Sequence, residues 1–303
     1  MIFSCINYIN LNSDDNNMIS KKIELIINFL LEYFVKLNFN KKKENFKKIH
    51  NNEFAYFFND TIAKEISIHG VYEKDEIEVL SKLISLKDHV IDIGANIGNH
   101  TIAFSKISKK VYSFEAHPRT FEILKFNTYE YKNIKIFNLG ISNRKGFLFF
   151  KNFKSNNIGG KRLSKKGSIK SQINKLDNII KSDKKIKLIK IDIEGHEYEA
   201  LMGMERLLNN NNCLIIMEFC EKSISKRRKI ISFLKEKNYL HSYYISKEKK
   251  ISNRAYLDLF TKIMCTILFI YKIKKAKIVK VGLNSLITNS LEGNIIFSKK
   301  KIS

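Results

Sequence analysis

The stretch VIDIGANIGNHT (90–101) carries Asp92, Gly94, Asn96 and Gly98 in the pattern D-x-G-x-N-x-G. Glycines at this spacing allow positive φ and let bare main chain come close to a ligand. Ala95 within the turn, Glu115 in the later phrase SFEAHP, and Asn138 complete the set expected to hold that ligand. A second grouping, Asp192-Ile193-Glu194-Gly195-His196, puts two carboxylates and an imidazole within five residues. If that piece is extended, alternation points Asp192, Glu194 and His196 to one side. Asp192 could then position an acceptor or take its proton with Glu194 as partner. His196 is the alternative base, since an unperturbed imidazole titrates near pH ~6.5.

These residues need elements to carry them. Short β-branched runs recur at Val90–Ile93, Val111–Phe114, Ile134–Phe137, Ile186–Ile193 and Leu214–Phe219. Helical patterns lie between most of them: Arg119–Tyr131, opened by the lone Pro118, and His196–Leu208, with Leu201, Met204 and Leu208 on one face. Ile77, Leu80, Leu83 and Ile84 mark an earlier helical face. The alternation predicts an α/β, Rossmann-like fold: a mostly parallel twisted sheet with helices on both faces. Ligands of open α/β sheets bind beyond the carboxyl ends of the strands, near the switch in strand order. The turn after Val90–Ile93 is therefore the first candidate site.

Two phosphate-binding readings of that turn fail. No lysine stands where a P-loop requires one, and Asn96 and Asn99 stand where a dinucleotide fingerprint has its second and third glycines. An acid beside the turn disfavours a pyrophosphate and favours a cation, while Glu115 could accept hydrogen bonds from a ribose diol. A positively charged adenosine compound without phosphate meets these conditions: S-adenosylmethionine.

The chain resembles the FkbM family of class I S-adenosylmethionine-dependent methyltransferases. The resemblance spans about Val71 to Glu221 through VIDIGANIGNHT, VYSFEAHPRTFEILKFN, NLGISNRKG, KLDNII, LIKIDIEGHEYEALMGMERLL and LIIMEF, of which IKIDIEGHEYEAL is the most specific. It implies methyl transfer to a hydroxyl of a sugar or other small molecule or glycan. Asn99, His100 and Ala116 depart from the family's usual residues. Asp177 in KLDNII recurs in the family and reads as structural. Asp192, Glu194 and Glu218 are the oxygen ligands that could gather Mg²⁺, as in some class I methyltransferases, although nothing in their spacing requires a metal.

Three regions follow from this pattern: an N-terminal helical and flexible segment (1–70), the methyltransferase domain (71–245) with an inserted substrate loop (147–185), and a basic extension (246–303). Asn157, Gly159 and Gly160 in the insertion are candidate acceptor contacts. Residues 21–39 read as a buried or capping helix. The extension holds an apolar helix, 255–277, and a closing strand, NIIFSKK.

The formal net charge is +25, from 55 Lys+Arg against 30 Asp+Glu. Lysine is spread along the whole chain rather than gathered into a basic, aromatic-bearing module, so no specific nucleic acid is expected. RNA methylation and a non-catalytic binding module are the alternatives. The four cysteines form no C-x-x-C pair or zinc spacing, and no run of about 18 apolar residues occurs. These features predict a cytoplasmic protein. The basic end of 255–277 would allow peripheral contact with an anionic membrane.

Overall fold

The computed structural model describes residues 46–49, 52–55, 66, 71–150, 163–164, 167–181, 185–219, 223–246, 276–288 and 293–302. The helix expected over 21–39, the loop residues Asn157, Gly159 and Gly160, and nearly all of 255–277 lie outside them.

The strands, in chain order, are β1 (Phe46–Ile49), β2 (Asn52–Ala55), β3 (His89–Ile93), β4 (Lys110–Phe114), β5 (Ile134–Phe137), β6 (Gly140–Ile141) and β7 (Gly146–Phe150). They continue with β8 (Leu163–Ser164), β9 (Ile169–Asn174), β10 (Ile186–Ile191), β11 (Leu214–Glu218), β12 (His241–Ser246), β13 (Lys277–Val281) and β14 (Asn294–Ser298). The α-helices are α1 (Lys74–Ser81), α2 (Asn99–Ser105), α3 (Pro118–Thr128), α4 (Glu197–Met202), α5 (Glu205–Asn210), α6 (Ile224–Glu236) and α7 (Ser285–Thr288).

Eight strands form one sheet in the order β13-β12-β14-β11-β10-β3-β4-β5. From β11 to β5 every pairing is parallel, as the strand–helix alternation predicts. β14 runs antiparallel to both its neighbours, β11 and β12. The strand foreseen in NIIFSKK therefore lies inside the sheet, not at its border. The order reverses at β3: the chain moves outward through β4 and β5, then returns to β10 on the other side. That reversal leaves a crevice above the carboxyl ends of β3 and β10.

Period-two alternation assigns the two faces. Ile91, Ile93, Ile189, Ile191, Ile215 and Met217 pack into one core with residues of α4, α5 and α6. Val90, Val111, Leu188, Leu214 and Ile216 join Val79 and Leu80 of α1 and Phe104 of α2 on the opposite face. At about 1.5–3 kcal/mol for each fully buried aliphatic side chain, these two layers dominate the folding free energy. On the second face the apolar rows stop one position short of the strand ends, where Lys190, Asp92 and Ser113 stand side by side in register.

The 147–185 segment contributes to a second sheet, β6-β9-β7-β8. Although the sequence reads this segment as an inserted loop, Leu148, Phe150, Ile173 and Leu176 are buried. The sheet sits close against the end of β4: a Cβ placed on Gly140 would lie 3.2 Å from Ala116 and 3.1 Å from Ile173. Asp177 caps α5, accepting from the N–H groups of Arg206 (2.8 Å) and Leu207 (2.9 Å), a structural role. The helix foreseen over His196–Leu208 is split in two at Gly203. There a Cβ would come within 2.0 Å of the Ser142 carbonyl oxygen, so the second sheet leaves no room for a side chain.

Candidate active site

β3 ends at Ile93 and the chain turns sharply, with φ of 85° at Gly94, 50° at Asn96 and 100° at Gly98, the N-cap of α2. The N–H groups of Gly94 and Ala95 both donate to the Phe114 carbonyl at the end of β4 (2.9 and 3.0 Å). The turn is thereby tied to the neighbouring strand. Ala95 and Gly98 are buried, whereas Gly94 and Asn96 are half-buried and form the accessible part.

Glu115 stands beside them. Its Oε2 accepts from the Asn96 N–H (2.9 Å) and its Oε1 from the His117 N–H (2.7 Å). A carboxylate offers about four acceptor positions, so these two bonds orient the group without exhausting it. Asn138, exposed, donates from Nδ2 to the Glu115 carbonyl (2.9 Å) and steadies the same corner.

Asp92 occupies a different place from the one its motif suggests. It is fully buried beneath the turn, where its Oδ2 accepts from the Thr101 hydroxyl (2.6 Å), which also contacts Ser113 (2.9 Å). Burial pushes its carboxyl above the usual range; Lys190, then the Thr101 bond, pull the other way. Asp92 thus braces the turn from below and does not face a ligand. The direct attraction of a cation that its motif position suggests is not available to a carboxyl buried this way.

The second grouping reaches the same crevice. The Asp192 N–H donates to the Ile93 carbonyl (3.0 Å), and the Asp192 carbonyl presses on Gly94, where a Cβ would lie 1.9 Å away. Its side chain is 35% exposed, and Oδ2 receives the Lys190 Nζ at 2.8 Å. Lys190 itself is only 3% exposed. The sequence reading missed it, although a lysine at an inward position of an apolar strand is itself a signal.

The expected alternation of Asp192, Glu194 and His196 does not occur. Extended chain ends at Ile191, and Glu194 (φ 54°) and Gly195 (φ 97°) form a left-handed turn. Positive φ at two successive residues breaks the two-residue period, so the three side chains do not share a face. Glu194 is half-buried within that turn. The buried Glu197, in the first turn of α4, reaches back to accept from the Gly195 N–H (2.8 Å). Burial raises its carboxyl above the ordinary range.

His196 turns toward the second sheet, its Nε2 2.9 Å from the Ser142 hydroxyl and its Nδ1 3.7 Å from Glu199. Burial holds its imidazole below the ordinary value; Glu199 opposes this, and Lys226 and Arg144 add to it. The folded state therefore binds fewer protons on this ring than the unfolded chain does. Its penalty is absent above pH ~6.5 and grows as pH falls through that value toward the folded one. His196→Gln is expected to flatten the loss of thermal stability between about pH 7 and 5, measured by melting across that range.

Among the described residues, three ligating groups come within metal-binding reach of one another only at Glu73, Glu76 and His100. Asp192, Glu194 and Glu218 form no such group, and the Lys190 ammonium already sits where a cation on Asp192 would. Asn294 donates to both Glu76 and Glu73, and Lys190 lies within electrostatic range of both acids. No metal is assigned to either place.

A parallel sheet with an antiparallel strand slotted beside β11, a glycine turn at the strand-order switch and an acid at the end of the next strand define the class I methyltransferase fold. Residues 92–240, just under half of the chain, match the Methyltransferase FkbM domain. The chain is 31% identical over 147 residues to the hexuronic acid methyltransferase AglP of Haloferax volcanii, covering 48% of this chain and 61% of that protein. The chain thus spans less than two thirds of that relative's length. Among solved structures, Methyltransferase FkbM from Methylobacillus flagellatus is similar over 78% of this chain and 52% of that one (14% identity, TM-score 0.43). A protein from Streptococcus mutans crystallised with SAH is similar over 58% and 89% (12% identity, TM-score 0.39). No described helix is long and apolar enough to cross a membrane.

Proposed function

We propose that the protein transfers a methyl group from S-adenosylmethionine to a hydroxyl of a carbohydrate. The observation that carries this reading is the fixed Glu115 carboxylate, oriented by two main-chain donors at the rim of the glycine turn, with Asp192 at the end of the adjoining strand. Glu115 is the group to accept from the ribose hydroxyls, and the bare main chain of Gly94, Ala95 and Asn96 lets the rest of the donor lie against the turn. When bound, the donor supplies an activated methyl on a sulfonium. The protein's part is to hold the acceptor oxygen in line with it, since positioning accounts for much of the rate.

Asp192 is the residue to orient that hydroxyl. His196, kept neutral near pH 7 by burial, has the protonation state a proton acceptor needs. An acidic sugar is the acceptor class favoured here. The AglP relative is named for a hexuronic acid, and the exposed Arg144 and Lys226 lie within electrostatic range of His196, where a sugar carboxylate would find opposite charge.

Titration calorimetry with S-adenosylmethionine and S-adenosylhomocysteine tests the donor site. Glu115→Ala is expected to weaken both by about 10- to 100-fold, the loss of hydrogen bonds to a charged group. Equal affinity in the variant and the parent would remove Glu115 from the site. No heat with either ligand would overturn the reading itself.

A further inference from the structure

Lys190 is the least expected side chain in the sheet. Lysine is almost never fully buried unless paired, yet here it stands 3% exposed between Leu188 and the strand end, on the face lined by α1 and α2. In the register of the sheet its neighbour is Asp92. Glu76 from α1 and Glu73 just before that helix also bear on it. Asn294 of β14 donates to both glutamates, and His100 of α2 lies 3.5 and 3.6 Å from them. From the exposed side comes Asp192, which itself bears on Asp92 and Glu197.

A lysine in this setting could simply neutralise buried acids. The geometry says otherwise. The buried Asp92 is served by the Thr101 hydroxyl, whereas the Lys190 Nζ donates to Asp192 Oδ2 at 2.8 Å, on the crevice side. Burial alone would discharge the amine, but Asp192, then Asp92, Glu76 and Glu73, outweigh it and keep it an ammonium.

We propose that Lys190 is a positioning residue. Its ammonium, anchored in the sheet, fixes the Asp192 carboxylate at the mouth of the glycine turn and keeps it ionised. This rests on the reading of Asp192 as the acceptor-facing group and decides between its two possible roles. A carboxylate clamped by a buried cation is a weak base, so Asp192 orients the acceptor hydroxyl as a hydrogen-bond acceptor and leaves the proton to another group. The strand supplies the anchorage, because β10 lies between β3 and β11, with Lys190 in register with Asp92 on one side and Ile216 on the other.

The test is NMR of the full chain labelled at aspartate ¹³Cγ and lysine ¹⁵Nζ, with Asp192→Asn assigning the carboxyl signal. In the parent protein Asp192 should titrate about one pH unit or more below the ordinary carboxylate value, and the Lys190 nitrogen should shift with the same inflection. Lys190→Met should raise the Asp192 midpoint by about that amount, and Lys190→Arg should restore most of the depression. A parent Asp192 titrating at the ordinary value with a silent Lys190 nitrogen overturns the proposal, and that measurement stands even if Lys190→Met fails to fold. An Asp192 midpoint unchanged in a folded Lys190→Met protein overturns it equally. Failure of the catalytic reading shows up separately, as methyl transfer that survives in Asp192→Ala while the NMR coupling persists.

Discussion

Asp192→Ala is expected to lower methyl transfer at least about 100-fold while S-adenosylmethionine binds almost as before. The rate loss is the size typical of a displaced positioning or proton-handling group. Sparing of the donor follows from how Asp192 meets the turn. Both of its contacts there are made by main chain, its N–H to the Ile93 carbonyl and its carbonyl against Gly94, and alanine keeps both. Donor affinity should therefore change by no more than about threefold, as for a substitution outside the contact set. The variant also leaves Lys190 without its hydrogen-bond partner. Because Asp192 is 35% exposed, the stability lost should be about 1–3 kcal/mol, below the ~3–5 kcal/mol of a fully buried pair. Transfer of labelled methyl to an acidic glycan, run beside calorimetry with the donor, checks both halves. Parallel loss of binding and transfer would place Asp192 in the donor pocket instead.

Gly94→Ala carries the largest expected effect on the donor. The added methyl meets the Asp192 carbonyl oxygen at 1.9 Å, and the residue sits at φ 85°. The left-handed conformation costs an L-residue about 1–2 kcal/mol, and relieving the clash requires main-chain movement of the kind that costs about 1–3 kcal/mol in packed sites. Together these predict a melting temperature lower by about 5–10 °C and donor binding too weak to detect by calorimetry. Gly195→Ala is the control. Its φ is 97°, but nothing lies within 4 Å of the new Cβ, so it should show only the conformational share of the penalty and retain the donor. If the two variants behave alike, the contact between the β3 turn and Asp192 is not what shapes the crevice.

The parallel core was readable because each strand is a short β-branched run between helical patterns. Val111–Phe114 and Ile134–Phe137 reappear almost residue for residue in β4 and β5. Pro118 marks the start of α3 as its fixed φ requires. The glycine turn and Glu115 were readable for the same reason, since only a few residue types tolerate those torsions and contacts. What escaped was set by distant partners. Asp92 carries a motif acid's position but lies beneath the turn, because the Thr101 hydroxyl claims it there. The 192–196 piece looks extended by composition, yet Glu194 adopts a left-handed torsion that alternation cannot foresee. The break in the helix at Gly203 depends on the Ser142 carbonyl, sixty-one residues earlier in the chain. Lys190 was hidden among the lysines of a chain in which that residue is spread everywhere.

The place of β14 bears on how the protein comes off the ribosome. β11 is complete at Glu218, but the strand that covers its flank begins only at Asn294. At about 5–20 residues per second, the growing polypeptide spends roughly four to fifteen seconds with an unprotected row of amides along an apolar core strand. Bare flanks of this sort invite pairing with other chains. The same late arrival delivers Asn294 to Glu73 and Glu76, so this end of the sheet is completed only after β14 has been made. Holding chaperones during synthesis should therefore raise the yield of active enzyme more than they raise its final stability.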